Sequence, residues 1–432
     1  MTDHADNKPL TCRLRPDGQA VGIAEYERAG GYQGLRAALQ QAPLEVQAAV
    51  VKARLRGRGG AGVYAGRKWG GVPMGIDAPR PKYVVANGDE MEPGTMKDRL
   101  LLEGDPHQLV EGMIVAAYAV QAESSYVFLR REYVRAARRV QRAIDEAYAA
   151  GYLGKNILQS GFSLSLRLHT SAGRYMCGEE EGMLNALEGK RAVPRSKPPH
   201  TVTCGLWGKP TVANNVETLC CVPHILRNGP DWFLSLARTG DGGGTKLYGA
   251  SGRVKRPGLW ELPLGTTLGE IFHDQAGGMA QGYAFRGLLP GGASTSFLLE
   301  KHFDVPMDFA SPDKRGSRLG TGTMIVLDDK TCPVGMLANM QAFFARESCG
   351  WCTPCREGLP WVAKTLAAIE AGAGQDGDLE ILADHVRMIR MHYTFCALAP
   401  GAMMPLEGAL LYFHDDFERH IREHRCPWRA PC

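Results

Sequence analysis

The sequence predicts an α/β protein with a parallel-sheet domain, a small α+β domain and a C-terminal helical bundle. Three observations support this fold class. Short apolar runs alternate with helical patterns between residues 82 and 169, which is typical of a parallel sheet covered on both faces. A glycine-rich segment, 239–244, then precedes a region of short strands. Beyond residue 334 the pattern is helical, and four predicted helices indicate a bundle.

The first domain is predicted to span residues 1–240, with a polar, helix-prone extension over residues 1–56. Its predicted strands cover 82–87, 125–129 and 164–169. Asp105 and Pro106 predict a helix start, with the carboxylate as N-cap and proline in the first turn. A second helix, 132–150, is expected to end at Gly151.

The second domain, 241–334, is predicted to hold strands over 246–254 and 324–327. Thr267 and Glu270 form a capping-box pattern that predicts a short helix between these strands. The third domain, 335–432, is predicted to contain helices over 335–346, 354–371, 378–391 and 405–424.

Composition restricts the class of protein further. The net charge of +4 is too small for a typical nucleic-acid binder. The polar N-terminus resembles neither a secretory signal nor a transit peptide, and no apolar run reaches the ~20 residues that cross a bilayer. The 12 cysteines are too sparse for a disulfide scaffold of 432 residues. We therefore expect a cytoplasmic protein that meets a membrane only through partners.

The most specific motif is a run of three cysteines, Cys349, Cys352 and Cys355, each separated by two residues. With Cys396 they can supply four thiolates, the ligand set of an iron–sulfur cluster. A Cys₄ zinc site is the alternative, although its ligands usually come as two pairs. Unligated thiols are a third interpretation. The other eight cysteines, including Cys426 and Cys432, receive no role from the sequence.

A glycine loop over residues 57–62 matches G-x-G-x-x-G, but it follows a predicted helix, 44–55, and no acid lies at the required distance. The dinucleotide fingerprint therefore fails. Exposed backbone N–H groups beside Arg58, Arg67 and Lys68 instead favour a phosphate or another anionic cofactor group. A flexible linker is the alternative.

Two acidic segments complete the candidate site. Residues 87–92 follow the first predicted strand, where open α/β sheets bind ligands. Residues 173–181 end in three glutamates, which can alternatively serve only to cap a helix. Asn214 and Asn215 could contribute amide contacts or form an ordinary turn. The arginine-rich helix 130–142 is interpreted as a solvated face, with a docking surface for an acidic partner as the alternative.

Together, six segments resemble the flavoprotein F subunits of respiratory complex I, the NADH:quinone oxidoreductase; they are 57–68, 87–93, 174–180, 195–199, 209–218 and 347–356. The resemblance runs in order along nearly the whole chain. It implies a Rossmann-like FMN domain, a ubiquitin-like middle domain and a bundle that holds a [4Fe–4S] cluster. It also implies hydride transfer from NADH to FMN, followed by single-electron transfer through the cluster to quinone.

The resemblance assigns residues to these tasks. The cluster ligands would be Cys349, Cys352, Cys355 and Cys396. Glu92, Glu180 and Tyr175 would act at the reaction site, where carboxylates can accept ribose hydroxyls and repel the extra phosphate of NADP. The full set implied to bind FMN or NADH is Gly57, Arg58, Gly59, Gly60, Gly62, Lys68, Asn87, Asp89, Glu90, Glu92, Tyr175, Gly178, Glu179, Glu180, Lys197, Asn214 and Asn215.

Four positions depart from the family pattern: Val63, Gly71, Glu181 and His200. The resemblance implies phenylalanines at positions 63 and 200 that stack on adenine, and stacking is worth ~1–3 kcal/mol per base. Tyr64 and His200 are the candidates to supply this stacking instead. The additional carboxylate of Glu181 is expected to disfavour a nearby phosphate.

The implied partners are the thioredoxin-like [2Fe–2S] E subunit and the multi-cluster G subunit, in the peripheral arm of an inner-membrane complex. Two other functions stay open at this stage. One is the diaphorase component of an NAD-linked hydrogenase or formate dehydrogenase. The other is a flavin and cluster relay, or a scaffold, that does not use NADH.

Overall fold

The computed structural model describes residues 7–429, so Cys432 lies outside the described residues. Its first sheet has four parallel strands in the order β3-β2-β1-β4. The strands are β1 (Tyr83–Gly88), β2 (Ser124–Leu129), β3 (Ser165–Thr170) and β4 (Thr211–Asn215). The three strands predicted from the sequence are therefore present, each displaced by about one residue, and the parallel arrangement is confirmed.

Helices cover this sheet. Those of the first domain are α1 (Ile23–Arg28), α2 (Gln33–Leu39), α3 (Pro43–Lys52), α4 (Ala65–Gly70), α5 (Lys97–Gly104), α6 (Pro106–Val120), α7 (Val134–Ala149), α8 (Glu180–Leu187), α9 (Thr201–Cys204), α10 (Val216–Asn228) and α11 (Pro230–Ser235). Helix α6 is buried along nearly its whole length because it packs between α2, α7 and α10. Its apolar surface forms the centre of the largest hydrophobic core.

The predicted N-cap of α6 is wrong in one respect. Pro106 does begin the helix, but the Asp105 side chain makes no capping bond to the first turn. Its Oδ2 instead accepts a bond from Arg13 Nε at 2.7 Å. A buried carboxylate gains more from a charged guanidinium than from a neutral backbone N–H. The N-terminal extension is thereby tied to the first domain.

A second, mixed sheet follows in the order β6-β5-β8-β7. Its strands are β5 (Thr245–Ser251), β6 (Gly258–Pro263), β7 (Phe285–Leu289) and β8 (Thr323–Asp328). The predicted capping box is present, since Thr267 N–H donates to Glu270 Oε2 at 2.9 Å and Glu270 N–H donates to Thr267 Oγ1 at 3.3 Å. The segment that it starts is a π-helix over Glu270–Gln275.

The C-terminal region contains α12 (Pro333–Glu347), α13 (Leu359–Glu370), α14 (Asp378–Met388), α15 (Leu398–Tyr412) and α16 (His414–Glu423). The single helix predicted over 405–424 is therefore wrong. Helix α15 begins seven residues earlier and contains Pro405 in its interior. The chain then breaks at Phe413, which has a φ of −128°. The burial of Pro405 in the bundle core outweighs the hydrogen bond that proline cannot make.

Short 3₁₀ and π turns connect these elements; they cover Ile157–Gln159, Tyr175–Gly178, Leu206–Gly208, Glu300–His302, Asp313–Arg315, Pro354–Gly358 and Met391–Tyr393. Among residues 7–429, no helix is both long and apolar enough to span a membrane.

Candidate functional site

A cavity of about 440 Å³ opens at the carboxyl edge of the parallel sheet. Its walls come from all three regions of the chain: the loop after α3, the ends of β1 and β4, the turn before α8, the mixed-sheet region, and the segment before α15. Every residue predicted to bind cofactor or nucleotide lines it except Arg58. The neighbouring ends of β1 and β4, paired at Asn87 and Asn215, place these side chains together.

The glycine loop, residues 57–63, forms one wall. Gly57 N–H donates to Val63 O at 2.8 Å, so the two ends of the loop are joined. Gly62 has a φ of +67°, and a Cβ there would lie 2.5 Å from Phe309 Cδ1. Only glycine tolerates both constraints. The wall is therefore bare backbone, which suits the close approach of an anionic group such as a phosphate.

Arg58 faces away from this wall. Its side chain is fully buried, and Nη2 donates to Gly243 O at 2.8 Å and Thr245 O at 3.0 Å. The structure therefore does not place Arg58 at the cavity, contrary to the expectation from resemblance. It fastens the glycine loop to the backbone of residues 243–245, where β5 begins.

Lys68 lines the cavity and joins its two sides. Its ammonium donates to Glu180 Oε2 and to Ala213 O, both at 2.6 Å. The Thr201 hydroxyl donates to the other oxygen of Glu180. Glu180 is therefore held by two donors, one on each oxygen, and Lys68 remains partly accessible from the cavity.

A charged network lies beneath the ends of the strands. Buried Lys97 donates to Asp98 Oδ1 at 2.7 Å and lies 3.0 Å from Glu217 Oε2. Burial alone favours a protonated acid, but Lys246 and Lys97 lower the pKa of Glu217 to about 2. Asn215 Nδ2 donates to Asp98 Oδ2 at 2.6 Å. These pairs fix the amide of Asn215 at the cavity floor.

Asp89 and Glu90 follow β1 and differ in how their oxygens are used. Burial raises the pKa of each to about 7. Glu90 accepts bonds from the backbone N–H groups of Asp98 and Arg99, so it helps to start α5. Asp89 accepts a 3.3 Å bond from Ser171 through Oδ1, and its carboxylate also interacts with the Cys177 thiol. Asp89 therefore lines the cavity, but its Oδ2 is buried in the protein.

Glu92 and Tyr175 form a hydrogen-bonded pair on the opposite wall. The Tyr175 hydroxyl donates to Glu92 Oε2, and Ser294 N–H donates to Oε1 at 2.6 Å. Burial raises the pKa of Glu92 despite these donors. The Tyr175 ring packs edge-on against Phe343 of α12, with 5.3 Å between ring centroids. The pair is therefore held between the second domain and the bundle.

The three consecutive glutamates have separate tasks. Glu179 is the N-cap of α8 and accepts from Gly182 N–H at 2.7 Å, so the capping interpretation holds for this residue. Burial, together with the neighbouring Glu181, raises the pKa of Glu179 to about 8. Glu181 does not line the cavity, and its carboxylate pairs with Lys197 at 2.8 Å. The expected repulsion of a phosphate by Glu181 is therefore reduced by Lys197.

Val63 lines the cavity with a side chain that is 61% exposed. Neither Tyr64 nor His200 lines it. Tyr64 donates to Asp241 O at 3.0 Å, and its ring lies under the guanidinium of Arg56. Neither candidate replacement therefore forms part of the cavity wall in this structure.

The four predicted cluster cysteines lie in one region next to the cavity. Cys396 lines the cavity wall, and the charges of Cys349, Cys352 and Cys396 add to burial in raising the pKa of Cys355 to about 12. Cys396 thus stands between the cavity and the cysteine loop of residues 349–355.

Some cavity residues carry no sequence signal that predicts them. Ser294, Arg318 and Thr321 come from the second domain, and Lys97 and Asp98 come from the start of α5. None belongs to a spaced motif, and Arg318 is held at the cavity by the bond that its Nη2 donates to Ser294 O at 2.7 Å. Three-dimensional folding alone brings them to the site.

Comparison with known proteins agrees with this geometry. The family model described as the Nuo51 FMN-binding domain matches residues 50–224, and that of the NADH-ubiquinone oxidoreductase-F iron-sulfur binding region matches residues 335–420. The NADH-quinone oxidoreductase F subunit of Salmonella typhimurium is 53% identical over 419 residues, covering 97% of this chain and 94% of the relative. An NADH-quinone oxidoreductase F subunit of Rhizobium meliloti is 50% identical and covers 96% and 97%.

A solved NAD⁺-reducing [NiFe]-hydrogenase contains a similar chain, with a TM-score of 0.81 and 33% identity. That match covers 94% of this chain but 67% of the hydrogenase chain. The F subunits are thus more similar in sequence and in the share of length matched, and the hydrogenase alternative is not favoured. The chain belongs to the family of NADH-quinone oxidoreductase F subunits, oxidoreductases with an FMN-binding domain and an iron–sulfur region, which confirms both the resemblance and the predicted fold class.

Proposed function

We propose that this chain oxidises NADH with FMN and passes single electrons to a [4Fe–4S] cluster, and from there through partner proteins to quinone. One observation carries the proposal. A single cavity has the glycine loop in one wall, carboxylates in another, and the sulfur-bearing residue Cys396 in a third. This arrangement supports anion binding, nucleotide binding and cluster ligation at one open cavity.

FMN, when bound, supplies the conversion between two-electron hydride chemistry and one-electron transfer. The residues that would hold it are those of the glycine wall and the strand ends. Gly59, Gly60 and Gly62 offer unobstructed backbone to its phosphate, and Lys68 supplies a positive charge. Asn87, Asp89 and Asn215 line the sheet edge and would supply polar contacts there.

NADH would lie along the acid side, which we define as Glu92, Tyr175, Glu179 and Glu180. Fixed carboxylates accept ribose hydroxyls and repel the additional phosphate of NADP. Lys68 and Thr201 orient Glu180 for this task, and Tyr175 with Ser294 orients Glu92. The chain therefore contributes positioning and charge, and hydride transfer itself needs no acid–base residue.

The ligands proposed for the cluster are Cys349, Cys352, Cys355 and Cys396. Ser348 Oγ lies 3.1 Å from Cys355 Sγ, and such hydroxyl contacts to sulfur tune cluster potentials. Cys396 also forms part of the cavity wall. The proposed flavin pocket and the proposed cluster site are therefore adjacent.

We further propose that the surface around the cysteine loop, residues 349–355, contacts a cluster-bearing partner. The E and G subunits of the peripheral arm are the partners that we propose for it. Several large apolar side chains are exposed here: Trp351, Trp361, Met388, Met391, Tyr393 and Phe395. The rings of Trp351 and Phe395 pack together at 5.3 Å. Exposed apolar patches of this kind mark protein interfaces.

The test is anaerobic addition of NADH to the chain purified with its [2Fe–2S] partner. Prompt bleaching of the flavin absorbance is the expected result. Flavin that dithionite reduces but NADH does not would overturn the proposal and identify the chain as a relay or scaffold. Replacing NADH by NADPH in the same assay tests the acid side, because we expect at least tenfold slower reduction.

A further inference from the structure

A second cluster of metal-ligating side chains lies in the bundle, apart from the cavity. It consists of Cys332, Glu370, His420 and Cys426, and one ligand atom from each lies within 4.8 Å of all the others. Cys332 immediately precedes α12, Glu370 ends α13, His420 is in α16, and Cys426 is in the tail after α16. Four distant positions of the chain therefore converge on one point.

The separations suit a small tetrahedral ion. Cys332 Sγ lies 3.1 Å from Glu370 Oε2 and 3.3 Å from His420 Nε2, and those two atoms are 3.2 Å apart. Ligands at about 2.0–2.3 Å from zinc stand about 3.3–3.8 Å from one another in a tetrahedron. The observed distances lie at or just below that range, so slight expansion around an ion is sufficient.

The orientation of His420 favours coordination. Its Nδ1 lies 2.6 Å from the backbone carbonyl of Asp416 and is therefore the protonated nitrogen. The lone pair of Nε2 then faces Cys332 and Glu370. Carbonyl support of this kind fixes the ring and tautomer of metal-bound histidines.

The surrounding donors fit the charge of such a site. Gly335 N–H donates to Cys332 Sγ at 3.2 Å, a contact that a metal-bound sulfur could keep. Arg429 Nη2 lies 3.0 Å from Glu370 Oε1, the oxygen that faces away from His420. Two thiolates and one carboxylate exceed the charge of a divalent cation by one, and Arg429 offsets that excess.

The burial of these four residues also favours a bound ion. His420 is fully buried, and Glu370 and Cys426 are less than one-tenth exposed. In such a place these groups are held together either by shared protons, as where the Cys332 thiol donates to Glu370 Oε2, or by a cation that replaces those protons. A soft, tetrahedral S₂NO ligand set is the one that Zn²⁺ prefers among abundant divalent ions.

We propose that Cys332, Glu370, His420 and Cys426 bind one Zn²⁺ ion that fastens the C-terminal tail to the helical bundle. We class the ion as structural because four protein ligands fill its tetrahedral coordination sphere and leave no position open for water or substrate. This site is separate from the iron–sulfur ligands, and the proposal does not depend on NADH use. It gives Cys426 a role that the sequence alone does not supply.

The test is metal analysis of the holo-protein, purified with its flavin and iron. We expect about one zinc per chain, in addition to cluster iron, and X-ray absorption with two sulfurs at about 2.3 Å. Cys426→Ser and His420→Asn should each lose most of the zinc, while Cys204→Ser retains it. Wild-type protein with an intact cluster and no zinc would overturn the proposal, as would zinc content unchanged in both variants.

A second measurement tests the proposal on the wild-type protein, in case the variants do not accumulate as folded protein. Removing zinc from the wild-type protein with a chelator should expose Cys332 and Cys426 to alkylation and the tail to proteolysis. Cys220, which is fully buried elsewhere in the chain, serves as the internal control and should stay unlabelled. A disulfide between Cys332 and Cys426, or thiols equally protected before and after chelation, would contradict the proposal.

Discussion

The glycine side of the cavity takes its shape from the backbone, whereas the acid side takes its shape from pairs of side chains. Residues 57–63 are closed by a main-chain bond, and Gly62 has a positive φ. Glu92 and Glu180 are instead held by Tyr175 and Lys68. The glycine side should therefore be sensitive to an added methyl group and insensitive to charge, and the acid side should respond in the opposite way.

The largest effect is expected from Gly62→Ala. The new Cβ would lie 2.5 Å from Phe309 Cδ1 in a left-handed backbone conformation. Such strain costs about 1–3 kcal/mol, so flavin affinity should fall roughly ten- to a hundredfold. Flavin content after gel filtration measures this effect. Gly208→Ala, also at positive φ but with open space around its Cβ, is the matched control and should keep its flavin. Full flavin occupancy in Gly62→Ala would show that the loop is not a rigid wall.

Glu180→Gln tests the acid side. The amide keeps the volume but removes the charge that Lys68 and Thr201 orient. Charged hydrogen bonds exceed neutral ones by about 1 kcal/mol, so the KM for NADH should rise about fivefold to tenfold with flavin content unchanged. Glu103→Gln removes a carboxylate that pairs only with Arg99 and Arg135 at the surface, and it should leave the KM unaltered. An unchanged KM in Glu180→Gln would remove Glu180 from the nucleotide site.

Asp89→Asn addresses the pH dependence of stability. Burial raises the pKa of Asp89 to about 7, above its value in the unfolded chain. The folded protein therefore holds a proton that the unfolded chain releases, and this stabilisation is lost as pH rises through 7. We expect the wild-type Tm to fall between pH 5.5 and 8 by about 2–4 °C more than that of Asp89→Asn. Parallel pH profiles for the two proteins would contradict the assignment.

The smallest change is expected from Val63→Phe. Val63 is exposed at the cavity, and neither Tyr64 nor His200 reaches it. An aromatic ring at this position could regain part of the ~1–3 kcal/mol of base stacking. The Kd for NADH should therefore decrease about threefold to tenfold, while Val51→Phe on the exposed face of α3 should have no effect. A weaker Kd in Val63→Phe would place the adenine elsewhere.

The parts of the fold that the sequence predicts are those set by local periodicity. Strands β1 to β3 and the cysteine spacing are of this kind, because alternation and motif spacing act within a few residues. Local periodicity does not predict the helix break at Phe413, which depends on burial in the bundle. It does not predict the orientation of Arg58 either, which depends on main-chain carbonyls of a distant segment. Tertiary contacts override local propensity at such positions.

The same distinction separates the two cysteine sites. Three cluster ligands occur within seven residues, so the sequence alone reveals them. The proposed zinc ligands are spread from Cys332 to Cys426, and at least five residues lie between any two of them. No spacing rule links them, because four separate elements of the bundle supply them.

In the proposed function, electrons pass from NADH to the iron–sulfur cluster through FMN bound in one cavity. The most direct test is the electron paramagnetic resonance signal of the reduced cluster after anaerobic NADH addition, in protein with FMN and in protein depleted of it. We expect the signal only when FMN is present, with dithionite producing it in both samples. Cluster reduction by NADH without FMN, or no reduction in the flavin-loaded protein, would show that the cavity does not couple NADH oxidation to the cluster through FMN.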